Sequence, residues 1–359
     1  MSLVTKPGKT AIVMGAVAVA LVIAGAGGFY WATRDDSPAG DHTARGTDAG
    51  PASQGVSYHG RLAVEGTSLV DQNGQPVQLR GVSSHGITWY PRYGDAPALD
   101  TVRQAGANVF RIAMYTDGRH SYQDEPDQSF ADTTAAADHA MAADLYAIID
   151  WHTLSEKDPN VHIDQALDFF DRVSAAYREQ PGVIYEICNE PNGGTTWDDV
   201  RRYANRVIPV IRANSPEAVI LVGTPHHSTG LAEAAAAPLD FSNVLYAYHY
   251  YADLSGGEYA GDISRALSKD IGVFVSEWGI GNDHSLDEPT VRHLLDESQT
   301  FLNYLDAQNI SWVSWSLSNK DEGSSLLRAD SQSLSGWSDQ ELTPYGQFVF
   351  ARLRNGRVA

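Results

Sequence analysis

The chain is 359 residues long, 43% hydrophobic and 19% charged, a globular balance that excludes a wholly disordered chain. Its 45 acidic residues against 25 basic ones leave a net charge of −20, which would repel a phosphate backbone, so no nucleic-acid partner is expected. The single cysteine, Cys188, excludes an intrachain disulfide, a cysteine zinc site and a CxxC redox pair.

Residues 1–10 carry Lys6 and Lys9, and residues 11–31, AIVMGAVAVALVIAGAGGFYW, carry no charge. A bilayer-spanning helix needs about 20 apolar residues. The upstream lysines predict a cytoplasmic N-terminus and an exported bulk, and Phe29, Tyr30 and Trp31 stand at the far end like an interfacial belt. The segment reads as a transmembrane anchor. A cleaved signal segment, cut near Ala24–Gly28, is the competing reading, although signal cores are usually shorter, about 7–15 residues. Either way the protein works at the extracellular face, membrane-anchored or secreted. Residues 32–56 are small, polar and Pro/Gly-punctuated, a flexible linker. One domain, residues 57–355, follows.

That domain opens with SYHGRLAVEGTSLVDQNGQPV, which reads as a short hairpin with a turn at Asn73-Gly74. Eight short apolar runs follow in order: VQLRG (77–81), NVFRIAMY (108–115), YAIIDW (146–151), VIYEIC (183–188), AVILVG (218–223), VLYAYHYY (244–251), GVFVSEW (272–278) and ISWVSW (310–315). Most are near-continuously apolar, as parallel strands buried on both faces are. Helical patterns lie between them. In WDDVRRYANRVIPVIRAN the stripe is Val200, Tyr203, Val207, Ile208 and Ile211; in VRHLLDESQTFLNYLDAQN it is Leu294, Leu295, Phe301, Leu302 and Leu305. Eight strand–helix units predict an α/β fold of the (β/α)8 barrel type. A doubly wound open sheet is the alternative, but no GxGxxG follows any run.

In a barrel of this kind reactive groups belong at the C-terminal ends of the strands. Glu190 and Glu277 each stand directly after an apolar run, where a charge is costly without a role. The fourth and seventh strands face each other across the mouth, so the two carboxyls meet there. Such a pair suits glycosidic bond cleavage, with one group as proton donor and the other as nucleophile or base. At about 5.5 Å and an effective dielectric of about 20 their repulsion is on the order of 3 kcal/mol, or roughly two pKa units. That is enough to keep one of them protonated near neutral pH, while Arg111 on the second strand holds the other ionised.

The runs RGVSSHGITWY, NVFRIAMY, IIDWH, YEICNEPNG, AYHYYA, FVSEWG and SWSLSNK, in this order from about residue 59 to 350, resemble glycoside hydrolase family 5, most closely its bacterial endoglucanase branch. The resemblance implies a retaining endo-β-1,4-glucanase with a β-glucan polysaccharide or oligosaccharide as its substrate, no cofactor, no metal, and a monomeric catalytic domain. It implies Glu190 as acid/base and Glu277 as nucleophile. Asn189 bonds the sugar 2-hydroxyl, Arg111 pairs with Glu277, and Tyr251 donates to Glu277. His152 and His249 line the cleavage point. His85, Trp89, Tyr90 and Trp315 form donor-side sugar platforms, with Lys320 as a hydroxyl contact. Trp151, Trp278 and Trp312 are read as packing. One position departs from the family pattern: Pro225-His226-His227 stands where relatives often place a tryptophan. An acceptor-side platform, and with it the sugar preference, is left open; mannan, xyloglucan or mixed-linkage glucan are alternatives under the same chemistry. A non-catalytic glycan-binding surface protein is the alternative from a different class.

Overall fold

The first barrel strand starts later than the apolar pattern predicts. The N–H of Val77 donates to the carbonyl of Leu69 at 2.9 Å, so this end of the VQLRG run belongs to the hairpin, and barrel pairing begins at Arg80. The hairpin itself is β1 (Ala63–Glu65) and β2 (Ser68–Val70), antiparallel, with Gly66 at φ 60° in the connection. The expected Asn73-Gly74 turn is present as well: across it Val70 bridges Pro76 antiparallel, and the Asp71 N–H donates to Gln75 O at 2.9 Å. It is a second turn one step on, where the N–H of Gly74 donates to Asp71 O at 2.9 Å. The computed structural model describes residues 54–178, 180–254 and 257–355. The apolar segment 11–31 and nearly all of the linker 32–56 lie outside the described residues. Among the described residues no helix is long and apolar enough to cross a membrane.

The eight runs all become strands: β3 (Arg80–Ser84), β4 (Val109–Tyr115), β5 (Tyr146–His152), β6 (Val183–Glu186), β7 (Ile220–Val222), β8 (Val244–Tyr251), β9 (Val273–Gly279) and β10 (Trp312–Leu317). Each pairs parallel with the next, and β10 closes on β3. Closure makes the protein a (β/α)8 barrel and disposes of the open-sheet alternative. The helix Trp197–Asn214 starts at a capping box between Thr196 and Asp199, and its predicted stripe is buried. The helix Glu288–Ala307 is capped by the side chain of Asp287, and Leu294, Phe301, Leu302 and Leu305 are buried, with Leu295 packed at the margin.

Strand side chains alternate between the barrel interior and the helix layer. Val109, Ile148, Ile184, Leu221, Leu245, Phe274 and Val313 form one apolar cluster inside the barrel. Phe110, Ile112, Ile149, Tyr185, Val275 and Trp312 join the core shared with the helices. Trp151, Trp278 and Trp312 are fully buried in that second core, as their packing reading predicts. Two residues beyond the apolar floor, on the same inward face, stand Arg111, Asp150, Glu186 and Ser276, all fully buried. An apolar plug thus supports a polar layer, and the strand ends rise above it.

Candidate active site

The polar layer is organised by Arg111, the guanidinium of β4. Its Nε donates to Glu186 Oε2 at 2.7 Å, its Nη1 to Glu277 Oε2 at 3.0 Å, and its Nη2 to Asn189 Oδ1 at 2.7 Å. Nη2 also lies 3.0 Å from Asp150 Oδ2. One buried cation therefore faces three carboxylates. Although burial disfavours its charge, the acids Asp150, Glu186 and Glu277 raise Arg111 above its ordinary value. Asp150 is the group that gives way. Burial lifts its carboxyl to about 7, against the pull of Arg111.

Glu277 ends β9. Its Oε2 accepts from Arg111 and its Oε1 accepts from the Tyr251 hydroxyl at 2.7 Å. Burial, and then the charge of Glu277, keep the Tyr251 phenol protonated far above its usual range, so it stays a donor. Glu190, just past β6, has a different setting. Its Oε1 meets His249 Nδ1 at 2.8 Å and its Oε2 meets His227 Nδ1 at 3.1 Å. One oxygen of Glu190, one of Glu277 and a nitrogen of His249 lie within 4.8 Å of one another. The carboxyls do meet across the mouth of the barrel, one on a guanidinium and a phenol, the other on two imidazoles.

This setting corrects one expectation. Burial raises the Glu190 carboxyl, as repulsion from Glu277 would, but the hydrogen bonds and charges of His227 and His249 outweigh it and hold Glu190 well below the usual carboxylate range. The hydrogen bond to Glu190 raises His227. Burial opposes charge on His249, yet Glu277 and Glu190 raise it too. The shifts run in opposite directions: the two imidazoles hold the Glu190 carboxyl down, and Glu190 in turn raises both imidazoles.

A hydrogen-bond chain joins the two settings. His249 Nε2 lies 3.1 Å from Ser276 Oγ, whose hydroxyl donates to Glu186 Oε1 at 2.6 Å, and Glu186 returns to Arg111. His152 ends β5, with Nδ1 2.6 Å from Asp150 Oδ2 and Nε2 3.4 Å from Asn189 Nδ2. Burial, then the charge of Arg111, push the His152 imidazole down to about 3. It is neutral, and so Nδ1 donates to Asp150 while Nε2 faces Asn189 as an acceptor.

An aromatic wall stands beside this centre. The His85 ring lies 5.0 Å from Trp315, 5.4 Å from Tyr90 and 6.0 Å from Trp89. Trp315 also stacks on His152 at 5.4 Å. Lys320 Nζ is 2.9 Å from His85 Nε2 and 2.7 Å from Glu322 Oε2. Every residue expected to act on or bind the sugar therefore falls at this end of the barrel, either around the charge layer or in this wall.

Several partners were not legible. Tyr115 packs between Trp89, at 4.4 Å, and His152, at 4.2 Å, and Glu322 is buried against Lys320. Asp150 and Glu186 could have been found: each is an acid inside an apolar run, on the same strand face as the interior apolar residue two positions before it. Tyr115 and Glu322 carry no such signal. Among the described residues a second group with metal-ligand spacing is His120, Asp124 and Glu125, in an exposed loop where His120 Nδ1 is 2.8 Å from Glu125 Oε1.

Residues 70–321 match the family model for cellulase, glycosyl hydrolase family 5. An endoglucanase of Clostridium saccharobutylicum is 40% identical over 82% of this chain and 65% of its own length. Endoglucanase A of Butyrivibrio fibrisolvens is 42% identical over 83% of this chain and 70% of its own. The chain thus spans about two thirds of these relatives. The catalytic domain of Thermobifida fusca endoglucanase Cel5A, solved as a variant with cellotetraose, is 33% identical with a TM-score of 0.76, covering 83% of this chain and 99% of that one.

Proposed function

The chain belongs to the cellulase family, glycosyl hydrolase family 5, and from that membership we propose that it is a retaining endo-β-1,4-glucanase acting on soluble or amorphous cellulose and related β-glucans. The observation that carries this reading is the carboxyl pair. Oxygens of Glu190 and Glu277 come within 4.8 Å, close to the roughly 5–5.5 Å that suits direct attack and short of the roughly 6.5–9.5 Å that leaves room for a water. Cellotetraose in the Thermobifida fusca domain supports a β-1,4-glucan as the substrate class.

Glu277, which accepts hydrogen bonds from Arg111 and Tyr251, attacks the anomeric carbon. Glu190 gives a proton to the departing O4, and the bond from the anomeric carbon to O4 breaks as the bond to Glu277 forms. Water then enters, Glu190 takes its proton, and the sugar leaves Glu277 with its first configuration restored. Asn189, held by Arg111, offers its amide to the 2-hydroxyl, and His152 lines the cleavage point. Trp89, Tyr90, His85 and Trp315 bury the apolar faces of donor-side rings, and Lys320 contacts a hydroxyl. The site is complete within one chain, which supports a monomeric catalytic unit.

Digestion of a soluble cellulose derivative should lower viscosity well before reducing ends accumulate, and proton NMR of cellotetraose cleavage should show the β-anomer first. The α-anomer first would remove the retaining mechanism. No turnover on any β-glycan would favour a glycan-binding protein. The segment 11–31 further supports export and retention at the membrane, with 32–56 as tether. N-terminal sequencing of the membrane-bound protein should start at or next to Met1; a start near residue 28 in the medium would make the segment a cleaved signal.

A further inference from the structure

Sequence places His226, His227 and Ser228 in the loop after β7, and their backbone is unusual. His226 (φ 60°, ψ 49°), His227 (φ 57°, ψ 47°) and Ser228 (φ 58°) stand consecutively in the left-handed region. Each non-glycine residue there costs roughly 1–2 kcal/mol, and such strain persists only where surrounding contacts impose it. Two of the contacts run to the segment just past β6. Ser228 Oγ donates to Asn189 O at 2.6 Å, and the His227 N–H donates to Pro191 O at 3.1 Å. Ser228 Oγ also accepts the Thr224 N–H at 3.2 Å. The turn is thus fastened on both sides of Glu190.

The result is that the two Glu190 oxygens are held by different imidazoles. His249 holds Oε1 from inside, with 2% of its side chain exposed, and His227 holds Oε2 from the solvent side, with 59% exposed. The titratable groups that face His227 are Glu190 and, behind it, His249. The neighbouring His226 is engaged by Glu233, at 2.7 Å.

We propose that His227 is a positioning residue that shares with Glu190 the proton delivered to the departing glucan. The inference rests on Glu190 as acid/base and adds a second seat for its proton. Two arrangements hold the same proton. In one it is on Glu190 and hydrogen-bonded to neutral His227, ready for O4. In the other it is on His227, and Glu190 is ionised and at rest. The pair binds the proton more tightly than Glu190 alone does, because both arrangements contribute. A residue at 227 that does not titrate therefore loses the proton at lower pH, and releases the fraction otherwise held at rest.

His227→Asn tests this. Asparagine is at ease in the left-handed region, and its amide stands where Nδ1 stood. We expect the basic limb of kcat/KM on cellotetraose to move down by about one pH unit, and the plateau below it to rise by the same factor, about tenfold. On 2,4-dinitrophenyl β-cellobioside, whose leaving group departs without a proton, the limb should not move. His227→Gly, which also fits the backbone, should show the same shift, and added imidazole should reverse it. An unmoved cellotetraose limb in both variants, or an equal shift on both substrates, overturns the proposal. If the unaltered protein turns over neither substrate at any pH, the glucanase reading fails instead.

Discussion

Glu277→Ala should lower kcat on cellotetraose by about five orders of magnitude, or ~7 kcal/mol of transition-state stabilisation. The size follows from what the side chain does. In the proposed mechanism it forms the covalent bond, and nothing else among the described residues occupies its place between Arg111 and Tyr251. The fold should survive, because the removed carboxylate leaves Arg111 with Asp150 and Glu186. The informative measurement is rescue. With 2,4-dinitrophenyl β-cellobioside and azide, the alanine variant should release the α-glycosyl azide, since the anion enters through the vacated space. Glu190→Ala should instead give the β-azide, by attack on the glycosyl–Glu277 intermediate. An α-azide from Glu190→Ala and none from Glu277→Ala would exchange the two roles.

Arg111→Met should destabilise the protein by about 3–5 kcal/mol at pH 7, since it strips the shared cation from buried acids. A fall in Tm on the order of 10 °C is expected. The pH dependence separates this cause from lost packing. Asp150 stands at about 7 even with Arg111 in place, and its neighbours lose the same cation. A carboxyl raised in the folded state binds a proton that the unfolded chain has released. Stability from such a group is complete below its unfolded value, about 4, and is lost as pH rises through the folded value. The deficit of Arg111→Met should therefore shrink from pH 8 to pH 4.5, as the orphaned acids are neutralised in the fold. Adding Glu186→Gln should recover part of the loss at pH 8. A deficit that is constant across this range would trace to packing alone.

Much of the molecule is legible because buried strands and charges set at their ends leave marks on composition. The eight apolar runs were found, and the helix Trp197–Asn214 was found to its ends. The runs blurred where another partner competed, as at Val77, which bonds to the hairpin. Glu190 and Glu277 stood out as charges set directly behind apolar strands. Asp150 and Glu186 carried a similar mark, but their purpose is visible only where Arg111 gathers them.

Chain order and residue type by themselves determined the barrel, the identity of the two carboxyls and the strand ends that present them, because strand alternation is a local property. The tertiary structure alone decided which groups hold each carboxyl. That depends on which nitrogen lies within 3.1 Å of which oxygen, and His227 reaches Glu190 only through a left-handed turn whose Ser228 is fastened to Asn189, 39 residues earlier in the chain. Electrostatic coupling follows distance in space, and the spacing of residues along a chain does not encode it.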